Sequence, residues 1–281
     1  MSDLAIEVAG LWFWYERGQP VLRGVDLRVP AGQLVALAGA NGSGKTTLVK
    51  QLNGLLRPAR GTVRAGGLDT AHHSIGEMAR QVGFLFQHPE QQIFGSTVHQ
   101  EVAFGPRNLD LSAREVGDRV EAALARFGLA AVAQHPPAIL GYGMRRKVTL
   151  ASLAAMDPPV LVLDEPTVGL DAAGRREMLA WMGELHGQGR TLVLVTHDMA
   201  LVARCAGRMV VLHEGQVVAD GLPATIFADG AVLARASLAP PPVVALAQAL
   251  RPHGLGGDSL TVESFCDEYI ALLGKSREPA F

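Results

Sequence analysis

The segment Leu34-Val35-Ala36-Leu37-Ala38-Gly39-Ala40-Asn41-Gly42-Ser43-Gly44-Lys45-Thr46-Thr47 joins a buried-strand signal to a phosphate-loop signal. Its first five residues are uninterruptedly apolar, as in a strand covered on both faces. Gly39 to Thr46 then fit the pattern G-x-x-x-x-G-K-[ST]. Glycines let such a loop curl until successive backbone N–H groups point inward at phosphate oxygens, and the helix that follows adds its N-terminal partial charge. Lys45 supplies a point charge for the β- and γ-phosphates, and the Thr46 hydroxyl is suited to ligating Mg²⁺. The chain has 21 Arg and only 4 Lys, so an ammonium here answers a need for a compact cation, not a planar fork. Residues Gly39, Ala40, Asn41, Gly42, Ser43, Gly44, Lys45, Thr46 and Thr47 are the candidate nucleotide contacts.

Upstream, apolar runs at 5–8, 11–15 and 25–29, separated by turn residues, predict antiparallel strands. Downstream, a helix runs from Lys45 to about Leu56, and 82–86 is another short buried run. From 87 to about 134 the signals turn helical. Ser112-Ala113-Arg114-Glu115 reads as a capped start, with Val116, Val120, Ala123, Leu124 and Phe127 on one stripe. A further helix covers 145–156. Strand and helix then alternate through 160–163, 171–186, 191–195, 199–205 and 209–212, which argues for a parallel α/β sheet. An inserted helical lobe is therefore placed at about 88–157. Pro240-Pro241-Pro242 marks a break. The last helical stretch, 261–273, carries one apolar face of Val262, Phe265, Cys266, Tyr269, Ile270 and Leu273, to be packed on its own domain or used as a dimer contact.

Two later strand ends complete the candidate site. Val160-Leu161-Val162-Leu163-Asp164-Glu165 is a buried run ending in paired carboxylates, at the sheet edge where α/β proteins bind ligands. Asp164 is the candidate Mg²⁺ ligand, and Glu165 the general base that polarises an attacking water. A third run ends Val195-Thr196-His197-Asp198, which puts His197 at the same edge, against a γ-phosphate.

Composition excludes several classes. The 281 residues correspond to roughly two domains at ~150 residues each. With 48% hydrophobic and 19% charged residues, a large core forms and wholesale disorder is ruled out. A net charge of -2 is the wrong balance for nucleic-acid binding. Two cysteines, Cys205 and Cys266, build neither a disulfide framework nor a zinc cluster. His72, His73 and His88 read as solvated loop histidines. The start lacks the pattern of a signal peptide, and no run approaches the ~18 apolar residues of a membrane span, so the chain is expected to be soluble and cytoplasmic.

Taken in order, these residues resemble the ATP-binding subunits of ABC transporters over nearly the whole chain. The implied fold is α/β: a P-loop NTPase core with an N-terminal antiparallel β lobe, an inserted α-helical subdomain and a short C-terminal helical extension. The ATP-binding domain would cover 1–240 and the extension 241–281. By the same resemblance Tyr15 stacks on adenine and Gln87 senses Mg²⁺ and the attacking water. Asp171, in Thr167-Val168-Gly169-Leu170-Asp171, communicates across a dimer interface, and His197 holds the γ-phosphate. A narrower likeness lies in Gln87-His88-Pro89-Glu90-Gln91-Gln92-Ile93-Phe94, followed by Thr97-Val98 and Glu101-Val102-Ala103-Phe104-Gly105-Pro106. It is similar to the energy-coupling-factor (ECF) importers, in which a short acidic helix receives the Arg-rich coupling helices of the transmembrane T component. Among these the chain looks most like the ATPase of the cobalt/nickel branch. The resemblance implies ATP and Mg²⁺, an ATPase dimer, T and substrate-binding membrane subunits, and the cytoplasmic face of the membrane.

One segment departs from the family. Where its signature reads Leu-Ser-Gly-Gly-Gln, this chain has Leu140-Gly141-Tyr142-Gly143-Met144, then Arg145-Arg146-Lys147-Val148. Gly141 keeps an N–H but lacks the serine hydroxyl, and Tyr142 adds bulk where a partner's nucleotide approaches. Slower hydrolysis or looser closure is the expected outcome. Two other readings stay open: a soluble ABC ATPase without a transporter, and a nucleotide-binding regulatory subunit with impaired hydrolysis.

Overall fold

The computed structural model describes residues 4–87 and 92–275. His88, Pro89, Glu90 and Gln91, read above as part of the ECF-like segment, lie outside the described residues. In chain order the elements begin with β1 (Leu4–Phe13), β2 (Leu22–Pro30), β3 (Leu34–Ala38), α1 (Lys45–Leu52), β4 (Arg60–Ala65), β5 (Leu68–Asp69), α2 (Ile75–Gln81) and β6 (Val82–Leu85). Next come α3 (Val98–Arg107), α4 (Ala113–Arg126), α5 (Tyr142–Met156), β7 (Val160–Asp164), α6 (Ala172–Gly187) and β8 (Thr191–Val195). The chain closes with α7 (Met199–Cys205), β9 (Arg208–His213), β10 (Gln216–Gly221), α8 (Pro223–Ala228), α9 (Gly230–Arg235), α10 (Pro242–Ala249) and α11 (Val262–Lys275). These fall into two compact units: residues up to Gln33 with Thr46–Val195, and Leu34–Lys45 with Thr196 onward.

The first unit holds an antiparallel sheet of order β2-β1-β4-β5. Glu7 pairs with Arg28 and Val8 with Leu27, and the register slips before Leu11, where Gly10 N donates to Asp26 Oδ1 at 2.8 Å. The same unit holds three parallel strands, with Val82 opposite Val160 and Val160 opposite Thr191. Parallel neighbours need crossovers. Here α3, α4 and α5 lie between β6 and β7, and α6 between β7 and β8. All five side chains of β7 are buried, as its apolar run requires. On α4 the Ser112–Glu115 capping box forms and Val116, Val120, Ala123 and Leu124 are buried. Phe127 meets Trp181 of α6 edge-on at 5.7 Å.

In the second unit β3 runs parallel to β9, and β9 antiparallel to β10. Ala36, Ala38, Val202, Met209, Val211 and Phe227 form its core, with α8, α9 and α10 contributing further apolar residues. The face of α11 is only partly packed, not buried on its own domain as the sequence suggested: Phe265 is half-buried, while Val262, Cys266, Tyr269, Ile270 and Leu273 are exposed. Cys205, whose Sγ donates to Leu201 O at 3.0 Å, has its thiol pushed up to about 12 by burial and then by the Asp198 carboxylate. Cys266 is exposed. No helix among the described residues is long and apolar enough to cross a membrane.

Candidate active site

The phosphate loop leaves β3 at Gly39, whose φ of +152° carries no Cβ penalty only in glycine. An added Cβ there would stand 2.2 Å from Leu212 O and 2.7 Å from Ser43 Oγ, so the close approach itself demands glycine. The Lys45 ammonium is folded over the loop and donates to Gly39 O at 2.8 Å and Ala40 O at 3.0 Å. Ser43 Oγ is buried and makes no hydrogen bond. An orphaned hydroxyl, a buried ammonium and a helix N-terminus on one loop fit the phosphates of a nucleotide. In the same unit His197 is exposed and lines a cavity of about 500 Å³ with Gly39, Ala40, Asn41 and Asp198. His197 and the start of the loop are thus brought together.

In the first unit Thr46 Oγ1 donates to Asp164 Oδ2 at 3.3 Å. A hydroxyl and a carboxylate set edge to edge are the hard oxygen donors Mg²⁺ takes, so these residues fit the ion. Glu165 follows at the end of β7, buried and in the left-handed region with φ +49°, and its N–H donates to Val195 O at 2.8 Å. Tyr15 is exposed, with its ring edge on Phe13 at 5.0 Å and its hydroxyl 3.2 Å from Thr47 Oγ1. Among its aromatic neighbours Phe13 is the core residue and Trp12 is exposed. Gln87 is exposed two residues past the end of β6.

The signature segment caps α5. Leu140 ends a 3-10 turn at Pro137–Ile139, and Gly141 is the N-cap with no side-chain hydrogen bond. Tyr142, Gly143 and Met144 form the first turn and share a cleft of about 680 Å³ with Gly169 and Asp171. Asp171 caps α6 by accepting from Gly174 N at 2.7 Å. The Tyr142 ring is turned onto its own chain, where a Cβ on Gly169 would stand 3.0 Å from its hydroxyl. Sequence reading passed over Arg146. It is fully buried and donates to the carbonyls of Glu165, Pro166 and Val168. The signal lay in its spacing: Arg146, Leu150 and Leu153 occupy one buried helical stripe.

The ECF-like segment presents an aromatic pair. Phe94 and Phe104 meet edge-to-face at 4.6 Å and both are exposed. Glu101 is turned inward and buried, accepting from Phe94 N at 3.0 Å and Gly95 N at 2.7 Å. His72 is exposed and His73 Nδ1 lies 2.9 Å from Asp69 O. Among the described residues no group of three or more His, Cys, Asp or Glu is placed to hold a metal.

Comparison with known proteins bears on the same residues. The family model described as ABC transporter matches residues 22–168. An AAA-domain model, described also as a putative AbiEii toxin of a type IV TA system, matches 134–203. The energy-coupling factor transporter ATP-binding protein EcfA2 of Symbiobacterium thermophilum is 45% identical over 247 residues, covering 85% of this chain and 86% of that protein. EcfA of Methanothermobacter thermautotrophicus is 39% identical over 272 residues, 96% of this chain and 88% of its own length. Among solved structures, cbiO1 of Clostridium perfringens, part of the ABC transporter complex cbiONQ, superposes with a TM-score of 0.73 at 31% identity, covering 89% of this chain and 97% of that one. A dimeric ATP-binding cassette in a post-hydrolysis state, bound to ADP and Pi, gives 0.69 at 25% identity over 78% of this chain and 98% of its own. The chain belongs to the ABC transporter family, as an ATP-binding, ATP-hydrolysing subunit with the α/β cassette fold.

Proposed function

We propose that this chain powers an ECF-type importer from the cytoplasmic face of the membrane, as one of two cassettes that close on ATP. The carrying observation is the Phe94–Phe104 pair, exposed yet braced by Glu101 in the segment that resembles the T-component contact. Exposed aromatics that stand together read as a protein contact. The likeness to the cobalt/nickel branch makes cobalt, or nickel, the proposed cargo. The nucleotide-binding domain is assigned to 1–240, with its helical subdomain at about 88–157, and the extension to 241–281, whose uncovered α11 face suits a second copy.

In the proposed reaction Lys45 and the loop N–H groups hold the β- and γ-phosphates, and Tyr15 the adenine. Thr46, Asp164 and Gln87 would hold Mg²⁺, which supplies charge neutralisation on the phosphates. Glu165 accepts the proton of the attacking water as the bond from γ-phosphorus to its bridging oxygen breaks, and His197 donates to a γ-phosphate oxygen. The signature residues Leu140 to Met144 and Asp171 act across the dimer. Loss of the γ-phosphate reopens the pair, and the Gln87 region passes the movement to the membrane partner.

The complex can be isolated from native membranes in mild detergent. This chain is expected to copurify with its transmembrane partners, and Phe94→Ser with Phe104→Ser to weaken that association at least about tenfold, since central aromatic anchors contribute about 2 kcal/mol or more. Calorimetric ATP binding should not change. Recovery of the double variant with membranes at the parent level overturns the reading. The altered signature gives a second expectation. The Tyr142 ring lies on Gly169, so the missing hydroxyl is the deficit, and Gly141→Ser should raise ATPase activity of the complex about 10-fold or more. Adding Tyr142→Gly should bring little further gain, and no gain from either refutes the idea.

A further inference from the structure

Arg146 carries an inference that deepens the proposed function and rests on it. Among the described residues it is the largest fully buried side chain; its two terminal nitrogens bond to one short stretch of backbone, while its Nε is buried without a hydrogen bond. Nη1 donates to Val168 O at 3.0 Å, and Nη2 to Pro166 O at 2.5 Å and Glu165 O at 3.2 Å. These carbonyls belong to the turn that leaves β7 straight after Asp164. A buried guanidinium with one unsatisfied donor is held at a cost, so the use of its other two nitrogens has a purpose beyond filling space.

The held residue explains the purpose. Glu165 sits at φ +49°, a region a non-glycine residue keeps only where its surroundings over-determine it. Its N–H is fixed on Val195 O at 2.8 Å, and its C=O accepts from both Arg146 Nη2 and the Val168 N–H at 3.2 Å. With both flanking peptides fixed, the Cα–Cβ direction is fixed, and with it the origin of the carboxylate. The other end of the link is the signature helix. Arg146 stands one turn from the N-cap Gly141, its Nη1 is 3.5 Å from the Tyr142 hydroxyl, and the adjacent Lys147 pairs with Glu177 of α6 at 2.7 Å.

We infer that Arg146 is a positioning residue that sets the backbone of Glu165 and ties its placement to the signature helix of the same subunit. A signature that closes on the partner's nucleotide then helps align the base that serves its own. A lysine offers one centre where the planar fork of arginine serves three carbonyls, so the role is specific to the guanidinium.

The test is a double-mutant cycle on the full chain in its complex, read by single-turnover phosphate release. Arg146→Lys should lower turnover about 10- to 100-fold while the KM for ATP stays within about threefold. In a Glu165→Gln background it should cost almost nothing more, because the group it positions is gone. Arg146→Gln, which keeps amide donors, replaces it should the lysine variant fail to fold. An equal loss in both backgrounds, or a rise in KM matching the fall in turnover, overturns the role of Arg146 and leaves the proposed function standing. If Glu165→Gln alone turns over like the parent, the assignment of Glu165 fails and Arg146's role falls with it.

Discussion

Glu165→Gln is expected to lower steady-state ATP turnover by about 10²- to 10⁴-fold, the range a positioned general base contributes. Glutamine is close to isosteric, so the loss isolates the proton acceptor. The left-handed backbone of Glu165 is held by hydrogen bonds with Val195, Val168 and Arg146, all of which glutamine leaves in place. ATP affinity should accordingly stay within about threefold, because Lys45 and the loop N–H groups are untouched. Trapped with ATP, the variant should elute as a stable dimer in gel filtration, while the parent does so only transiently. Turnover within tenfold of the parent would remove Glu165 from the chemistry.

Lys45→Ala is expected to weaken ATP binding by at least about 10²-fold, as leaving a buried charge without its partner costs about 3–5 kcal/mol. Calorimetry in the submillimolar range should then register no heat. The structure adds a reason beyond lost attraction for phosphate. The ammonium bonds to Gly39 O and Ala40 O, so it also braces the loop it serves. Lys45→Arg should fail nearly as badly: a planar fork is wider than the point charge these two carbonyls embrace. Binding by Lys45→Ala at parental strength would contradict both arguments.

How much of this was legible beforehand varies with how local the cause is. The positions of the phosphate loop after β3 and of Asp164 and Glu165 at the end of β7 were readable because they follow buried apolar runs in consecutive residues. The antiparallel strands followed from apolar runs separated by turn residues, although the runs at 5–8 and 11–15, read as two, form the single strand β1, and α4 followed from its capping box and stripe. By contrast β4 went unread, since only Val63 and Ala65 of its six residues are buried and no apolar pattern forms. For α2 the cue existed: Ser74 and Glu77 form a capping box. Prolines at Pro223 and Pro242, in the first turns of α8 and α10, were similar unused cues. Two features depend on contacts distant in sequence and had no local signature. The inward turn of Glu101 needs the backbone of Phe94 and Gly95, and the resting place of the Tyr142 ring needs Gly169.

The unequal states of the two thiols have a practical corollary. With burial and the Asp198 carboxylate raising its thiol to about 12, Cys205 is expected to react far more slowly with maleimides than an ordinary thiol. Cys266, exposed on α11, reacts instead. A fluorophore or spin label attached there would stand on the α11 face proposed for a second copy, so labelling Cys266 should itself oppose that association and tests whether the face is used.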